Sequence, residues 1–166
     1  MISYLRGKIM EKQTIKPNII KFHFYKGTGF VSKLIKWRTI SKYSHVAIEI
    51  NNRIIEAKEG QGVIARVPSC LTNKEFDTIE IKVVDKVKFN AFYDFLVLQI
   101  GKPYDWEAIF NFIKNWDKEN PNKWFCSELG DTVFSFLITK WEKEKNLVSP
   151  ELLYHRLKYY KYGLNN

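Results

Sequence analysis

Ser44-His45-Val46-Ala47-Ile48-Glu49-Ile50, Asn51-Asn52, Arg53-Ile54-Ile55-Glu56-Ala57 is the stretch whose reading decides the fold. Two β-branched segments flank adjacent asparagines, which tolerate the left-handed backbone that a two-residue hairpin turn demands. With that turn Ile50 pairs with Arg53, Ala47 lies opposite Glu56 and His45 opposite Lys58. Side chains alternate across a strand, so Val46, Ile48, Ile50, Ile55 and Ala57 share one apolar face that meets the core. His45, Ala47 and Glu56 share the other. Glu56 is then the diagonal neighbour of His45, at a Cβ separation of roughly 7–8 Å that a long side chain bridges. Glu49 is on the same face but two pairs further from the histidine, and a three-residue turn would send Glu56 to the core face.

Other strands are expected from Ile20 to Phe24, Val63 to Val67 and Thr78 to Val84. A short helix is expected over Phe30–Trp37 and another from Asp105 to about Lys114. Between Lys86 and Ile100, Phe89, Phe92, Leu96 and Gln99 recur at helical spacing before Gly101 and Pro103 end the run. Leu129, Val133, Phe136 and Leu137 repeat that period after Cys126, predicting a helix with one buried face and Cys126 in its first turn. Ser149-Pro150-Glu151 reads as an N-cap with proline at the first helical position. The expectation is one α+β domain over residues 19–166, preceded by a polar, aperiodic and loosely attached arm over 1–18. It consists of a small antiparallel sheet packed against the cysteine-bearing helix.

A chain of 166 residues with 45% hydrophobic side chains can bury a sizeable core without metals or disulfides. Cys70 and Cys126 are therefore read as free thiols, Cys70 structural or exposed. Met1–Lys8 lack the apolar core of a secretory signal, and no apolar run reaches the roughly 20 residues of a membrane span, so a cytoplasmic protein is expected. The 27 Lys+Arg against 18 Asp+Glu give a net charge of +9, scattered rather than gathered in a block. An anionic cell-wall or lipid surface fits such a balance. Nucleic acid is not expected, because no stacking motif of the RNA-binding type is present. The dispersed cysteines and histidines lack zinc spacing, and Gly27-Thr28-Gly29 lacks the lysine and hydroxyl of a phosphate loop, so neither metal nor cofactor is expected.

What remains is thiol chemistry. A helix N-terminus favours thiolate over thiol and can hold a developing oxyanion. An imidazole deprotonates the thiol and later protonates the leaving group, and a third group fixes the imidazole tautomer. Cys126, His45 and Glu56 are the candidates for these roles. His23 and His155 are read as structural, Glu128 as a local cap.

Ser44-His45-Val46-Ala47-Ile48, Glu56, Gly101-Lys102-Pro103-Tyr104-Asp105-Trp106, Trp124-Phe125-Cys126-Ser127-Glu128-Leu129 and Ser149-Pro150 together resemble the permuted papain-like amidases of the NlpC superfamily, YiiX-type branch. In that branch the histidine strand precedes the cysteine helix, and the resemblance spans about residues 20–155. It implies a permuted papain-like fold and a thiol amidase or peptidase acting on a small-molecule, peptide or N-acyl substrate. Cys126 matches the nucleophile, His45 the base and Glu56 the third polar residue, and Tyr104 lines the site near the thiol; Ser127, the next residue, either offers its hydroxyl to substrate or, the favoured reading, bonds within the first helical turn. The lecithin retinol acyltransferase relatives share the permuted order and act on lipid esters, so acyl transfer at a basic lipid surface is the alternative. A decayed basic binding domain is the third reading.

Overall fold

The computed structural model describes residues 18–27, 32–33, 36–37, 40–71, 75–107, 122–137 and 148–163. Five strands, β1 (Asn18–Tyr25), β2 (His45–Ile50), β3 (Arg53–Lys58), β4 (Gly62–Arg66) and β5 (Phe76–Val83), form one sheet in the order β4-β3-β2-β1-β5. Every neighbouring pair is antiparallel. A single 3-10 turn, Pro68–Leu71, connects β4 to the segment before β5. Among the described residues three longer helices follow: α1 (Lys86–Gln99), α2 (Cys126–Leu137) and α3 (Pro150–Gly163). The chain is thus α+β, with α2 lying over β2 and β3 and between α1 and α3. None of the described helices is long and apolar enough to cross a membrane.

The hairpin takes the expected register, with Ile50 opposite Arg53 and Ile48 opposite Ile55. Asn51 and Asn52 have φ of 48° and 58°, the left-handed pair that matches the twist of a two-residue hairpin. Ile20, Phe22, Phe24, Val46, Ile48, Ile50, Ile55 and Ala57 make the helix-side core of the sheet. Each large apolar side chain enclosed there contributes about 1.5–3 kcal/mol. The opposite face has its own small cluster, Tyr25, Ala47 and Ile54, flanked by Cys70, Leu71 and Phe76. Both faces of β1 are therefore covered, which suits its central position.

Asp85 caps α1 by accepting from the backbone N–H of Val87 at 2.8 Å and of Lys88 at 3.1 Å. The buried residues of α1 are Phe89, Phe92, Leu96 and Gln99, the four the periodicity picks out. Gly101, at φ +89°, turns the chain out of the helix and onto the free edge of β4. There the Gly101 N–H donates to the Val63 carbonyl and the Val63 N–H to the Lys102 carbonyl, both at 2.9 Å. Tyr104 then bridges in parallel to Trp124. This strap continues the sheet beyond β4 and delivers the chain to the start of α2.

The expected buried face of α2 needs correction. Phe134 is 1% exposed and Phe136 is 49% exposed, although the Phe136 ring still packs on Phe95 at 5.2 Å. Nearly the whole of the first two turns is buried, because the sheet, α1 and α3 enclose the helix on three sides. Gly130 permits that closeness, since a Cβ there would lie 2.7 Å from Leu153 Cδ2 and 3.5 Å from Val46 Cγ1. The enclosed Asp131 is paired with Arg156 Nη1 at 2.9 Å, so a charge on each helix is neutralised at their contact. α3 starts as expected, with Ser149 Oγ accepting from the Leu152 N–H at 3.1 Å.

β1 begins at Asn18, and the expected N-terminal arm lies otherwise outside the described residues. Ser32-Lys33 and Lys36-Trp37 are helical, as are Trp106 and Glu107, while Asp105 precedes the helical residues; the rest of those two expected helices lies outside the described residues.

Candidate active site

His45 is the first residue of β2, where the strand leaves the Tyr43-Ser44 turn. Its Nε2 lies 2.6 Å from Glu56 Oε2, so the diagonal pair read from the hairpin register is a hydrogen bond. The Glu56 carboxylate is 2% exposed, and its second oxygen, Oε1, accepts from the Arg66 guanidinium. The imidazole stacks at 5.5 Å, tilted 40°, on the Tyr25 ring. With Nε2 engaged by a carboxylate, Nδ1 is the ring nitrogen left to exchange a proton with another group.

Glu49, the weaker candidate on the same face, belongs to another cluster. It accepts from Lys21 Nζ at 2.9 Å and lies 3.0 Å from His23 Nε2, while His23 Nδ1 meets Thr78 Oγ1 at 2.9 Å. Burial pushes the His23 imidazole below its ordinary value, with Glu49 opposing. Burial would raise Glu49, but the hydrogen bonds from Lys21 and His23 outweigh it and hold the carboxyl below its usual range.

Cys126 opens α2, where the first backbone N–H groups have no intrahelical acceptor. The approach is rigid. Gln99 on α1 accepts the Trp124 indole N–H at 3.0 Å, and the Trp124 N–H donates to the Pro103 carbonyl at 3.2 Å. The Glu128 side chain reaches back to the Phe125 N–H at 3.4 Å, the reciprocal half of a capping box and the local role expected of it. Gly130, one turn beyond Cys126 on the same helical face, sits over Val46, the neighbour of His45. Tyr104 feels both Cys126 and Glu59, the residue after β3, and its phenol is pushed up by burial first and by those charges next. These placements bring Cys126 to the end of the sheet where β2 begins and β3 finishes.

The thiol and the imidazole are not in contact across the sheet. Cys126 packs into the helix-side core and is 2% exposed, whereas the His45 ring lies on the opposite face with Tyr25. Among the described residues no hydrogen bond joins Cys126 Sγ to the His45 ring. An approach between them goes around the end of β2, and nucleophile–base contacts commonly tighten only when substrate binds.

Of the two residues assigned to substrate, Tyr104 packs at the approach to the cysteine helix, with its ring 6.2 Å from that of Phe125, the residue before Cys126, and 5.3 Å from that of Trp106. Ser127 is not at the site. It is fully buried, and its hydroxyl donates to the Val148 carbonyl, tying α2 to the segment that leads into α3. Cys70, half-buried in the 3-10 turn, packs against the Tyr25 cluster. Arg66 escaped the sequence reading. Its signal is the β3–β4 register, in which Glu56 faces Ile64 and Arg66 is the next residue along the same face.

Compared with protein-family models and with curated proteins, the chain matches none of either.

Proposed function

We propose that the protein is a cysteine-dependent hydrolase of permuted papain-like fold that cleaves an amide bond, peptide or N-acyl, through a thioester. The observation that carries this reading is the 2.6 Å bond between His45 Nε2 and the buried Glu56 carboxylate, which leaves Nδ1 as the proton acceptor at the end of the sheet that Cys126 shares. With the ring and the thiol brought together around the end of β2, His45 Nδ1 takes the proton from Sγ, and the thiolate attacks the substrate carbonyl carbon. The oxyanion is held by backbone N–H groups of the first turn of α2. The C–N bond breaks as the imidazolium returns its proton to the leaving amine, and the acyl group stays on Sγ as a thioester. A water deprotonated by His45 then attacks the thioester, releasing the acid and restoring the thiol. Glu56 stays a carboxylate throughout and holds the ring in one tautomer. Since Cys126 is 2% exposed, substrate reaches its thiol only when the side chains packed around it open locally.

Acyl trapping tests this directly. Incubation with an activated acyl ester, followed by peptide mass spectrometry, is expected to place the acyl mass on Cys126. Cys126→Ala abolishes it while the circular dichroism spectrum is kept. Acylation confined to Cys70 or to lysines, or unchanged in Cys126→Ala, removes the basis of the reading.

A second reading, acyl transfer to an acceptor at an anionic lipid surface, is favoured by one observation. Trp37, 73% exposed, and Ile40, 94% exposed, border a surface hollow with Lys36 and Lys42 on a chain of net charge +9. Co-sedimentation with anionic but not neutral vesicles at low salt supports that acceptor; failure to bind either argues for water.

A further inference from the structure

Glu56 is a nearly enclosed carboxylate on the His45 face of the sheet, and its two oxygens serve different partners. Oε2 meets His45 Nε2 and Oε1 accepts from Arg66. We propose that Arg66 is a positioning residue for His45: by holding Oε1 it keeps Glu56 ionised and oriented so that Oε2 accepts the Nε2–H and Nδ1 remains the basic nitrogen. The inference rests on His45 being the base of the proposed hydrolase.

The physical argument begins with burial. A carboxylate that is 2% exposed is driven toward its protonated form unless a cation or donors compensate. A protonated Glu56 could donate to Nε2, and the proton on the ring would then move to Nδ1, the nitrogen the chemistry needs bare. Arg66 supplies a permanent charge at the right atom, since a guanidinium does not deprotonate in this range.

Its placement is set by the sheet. Ile54 faces Arg66 and Glu56 faces Ile64 across β3 and β4, which puts Arg66 diagonal to Glu56 on the His45 face. Among the described residues Arg66 Nε is buried and meets no acceptor, so the guanidinium bond to Glu56 runs through the Nη2 end. Among the described residues, the other titratable groups on the ring's side of the sheet include the Tyr25 phenol from β1, the Cys70 thiol behind it, and Lys58, two residues beyond Glu56 on the same face of β3.

The chain has three histidines, His23, His45 and His155, so ring nitrogen chemical shifts of histidine-labelled protein are readily assigned with single substitutions. Wild type is expected to show neutral His45 as the Nε2–H tautomer. In Arg66→Gln that tautomer is lost to a mixture or to a protonated ring at neutral pH. Cys126 alkylation should slow in the same variant by about ten- to hundredfold, the usual loss when the partner that orients a functional histidine is removed. Arg66→Lys, which restores the charge without the fork, is expected to recover the tautomer and most of the rate. An Arg66→Gln protein with the wild-type tautomer and rate overturns the proposal. If that variant does not fold, the wild-type ring alone decides: an Nδ1–H tautomer leaves Arg66 nothing to hold in place. Failure of the hydrolase reading has a different signature, namely slow Cys126 alkylation in every variant while the tautomer still responds to Arg66.

Discussion

Gly62→Ala should destabilise the protein more than Gly60→Ala, although the two glycines share a turn and nearly the same backbone conformation, φ +75° and +73°. Either alanine adopts a left-handed conformation that costs roughly 1–2 kcal/mol. At Gly60 a Cβ meets nothing within 4 Å, so that strain is the whole cost. At Gly62 the Cβ would lie 2.3 Å from the Lys102 carbonyl oxygen and 3.3 Å from Pro103 Cα, which forces the strap off the β4 edge. The displaced strap loses two hydrogen bonds, Val63 N–H to Lys102 O and Gly101 N–H to Val63 O. At about 0.5–1.5 kcal/mol each, they add about 1–3 kcal/mol to the strain. Urea unfolding followed by tryptophan fluorescence measures both variants against wild type. The strap carries Tyr104 and, through its bridge, Trp124, so Gly62→Ala should also raise the alkylation rate of the enclosed Cys126 thiol, and Gly60→Ala should not. Equal losses of stability in the two variants would refute the argument that close approach, rather than backbone conformation, requires glycine at position 62.

Glu56→Gln keeps the shape of the side chain but weakens two charge-assisted hydrogen bonds to half-exposed partners, an expected loss of about 1–3 kcal/mol by urea unfolding. A wild-type midpoint in that variant contradicts the placement of Glu56 between His45 and Arg66. Arg156→Met removes the cation facing the enclosed Asp131 and should cost about 3–5 kcal/mol, with Asp131→Asn and Arg156→Met together costing less than the sum of the two. Acidification should weaken the fold through the His23–Glu49 cluster. The His23 pKa is lowered on folding, so its contribution is complete above the ordinary value of 6.5 and falls as pH drops below it. The Glu49 pKa is also lowered, so its contribution is complete above 4.5 and is lost as pH falls through the folded value. Urea midpoints measured from neutral pH downward should therefore decline, and His23→Gln should flatten the upper part of that decline; an unchanged slope speaks against a buried neutral imidazole.

The hairpin was legible because its information is local. Two asparagines that accept left-handed φ define a two-residue turn, and the period of two then places every side chain, including Glu56 beside His45. The same holds for α1, whose four buried residues follow from spacing, and for the Ser149 cap of α3. What the sequence hid is non-local. Arg66 becomes a neighbour of Glu56 only through the β3–β4 register, set by a turn with two left-handed glycines rather than a recognisable two-residue hairpin. Phe134 and Phe136 exchange their expected burial because α2 has contacts on three sides, so a single-face periodicity misleads. Ser127 is expected to bond within its own helical turn or to meet substrate, but on a helix adjacent residues point about 100° apart, and its hydroxyl reaches Val148 in the segment before α3 instead. The spatial order β4-β3-β2-β1-β5, with β1 in the interior, depends on pairings between segments far apart in the chain.

The central claim is that Cys126 and His45 act as a nucleophile and its base. The most direct measurement is the pH dependence of Cys126 alkylation by iodoacetamide in wild type, Cys70→Ala and His45→Ala. The account predicts labelling that persists well below the ordinary thiol value of about 8.5, is unchanged in Cys70→Ala, and slows at low pH in His45→Ala. Labelling that follows an ordinary thiol titration in all three proteins contradicts it.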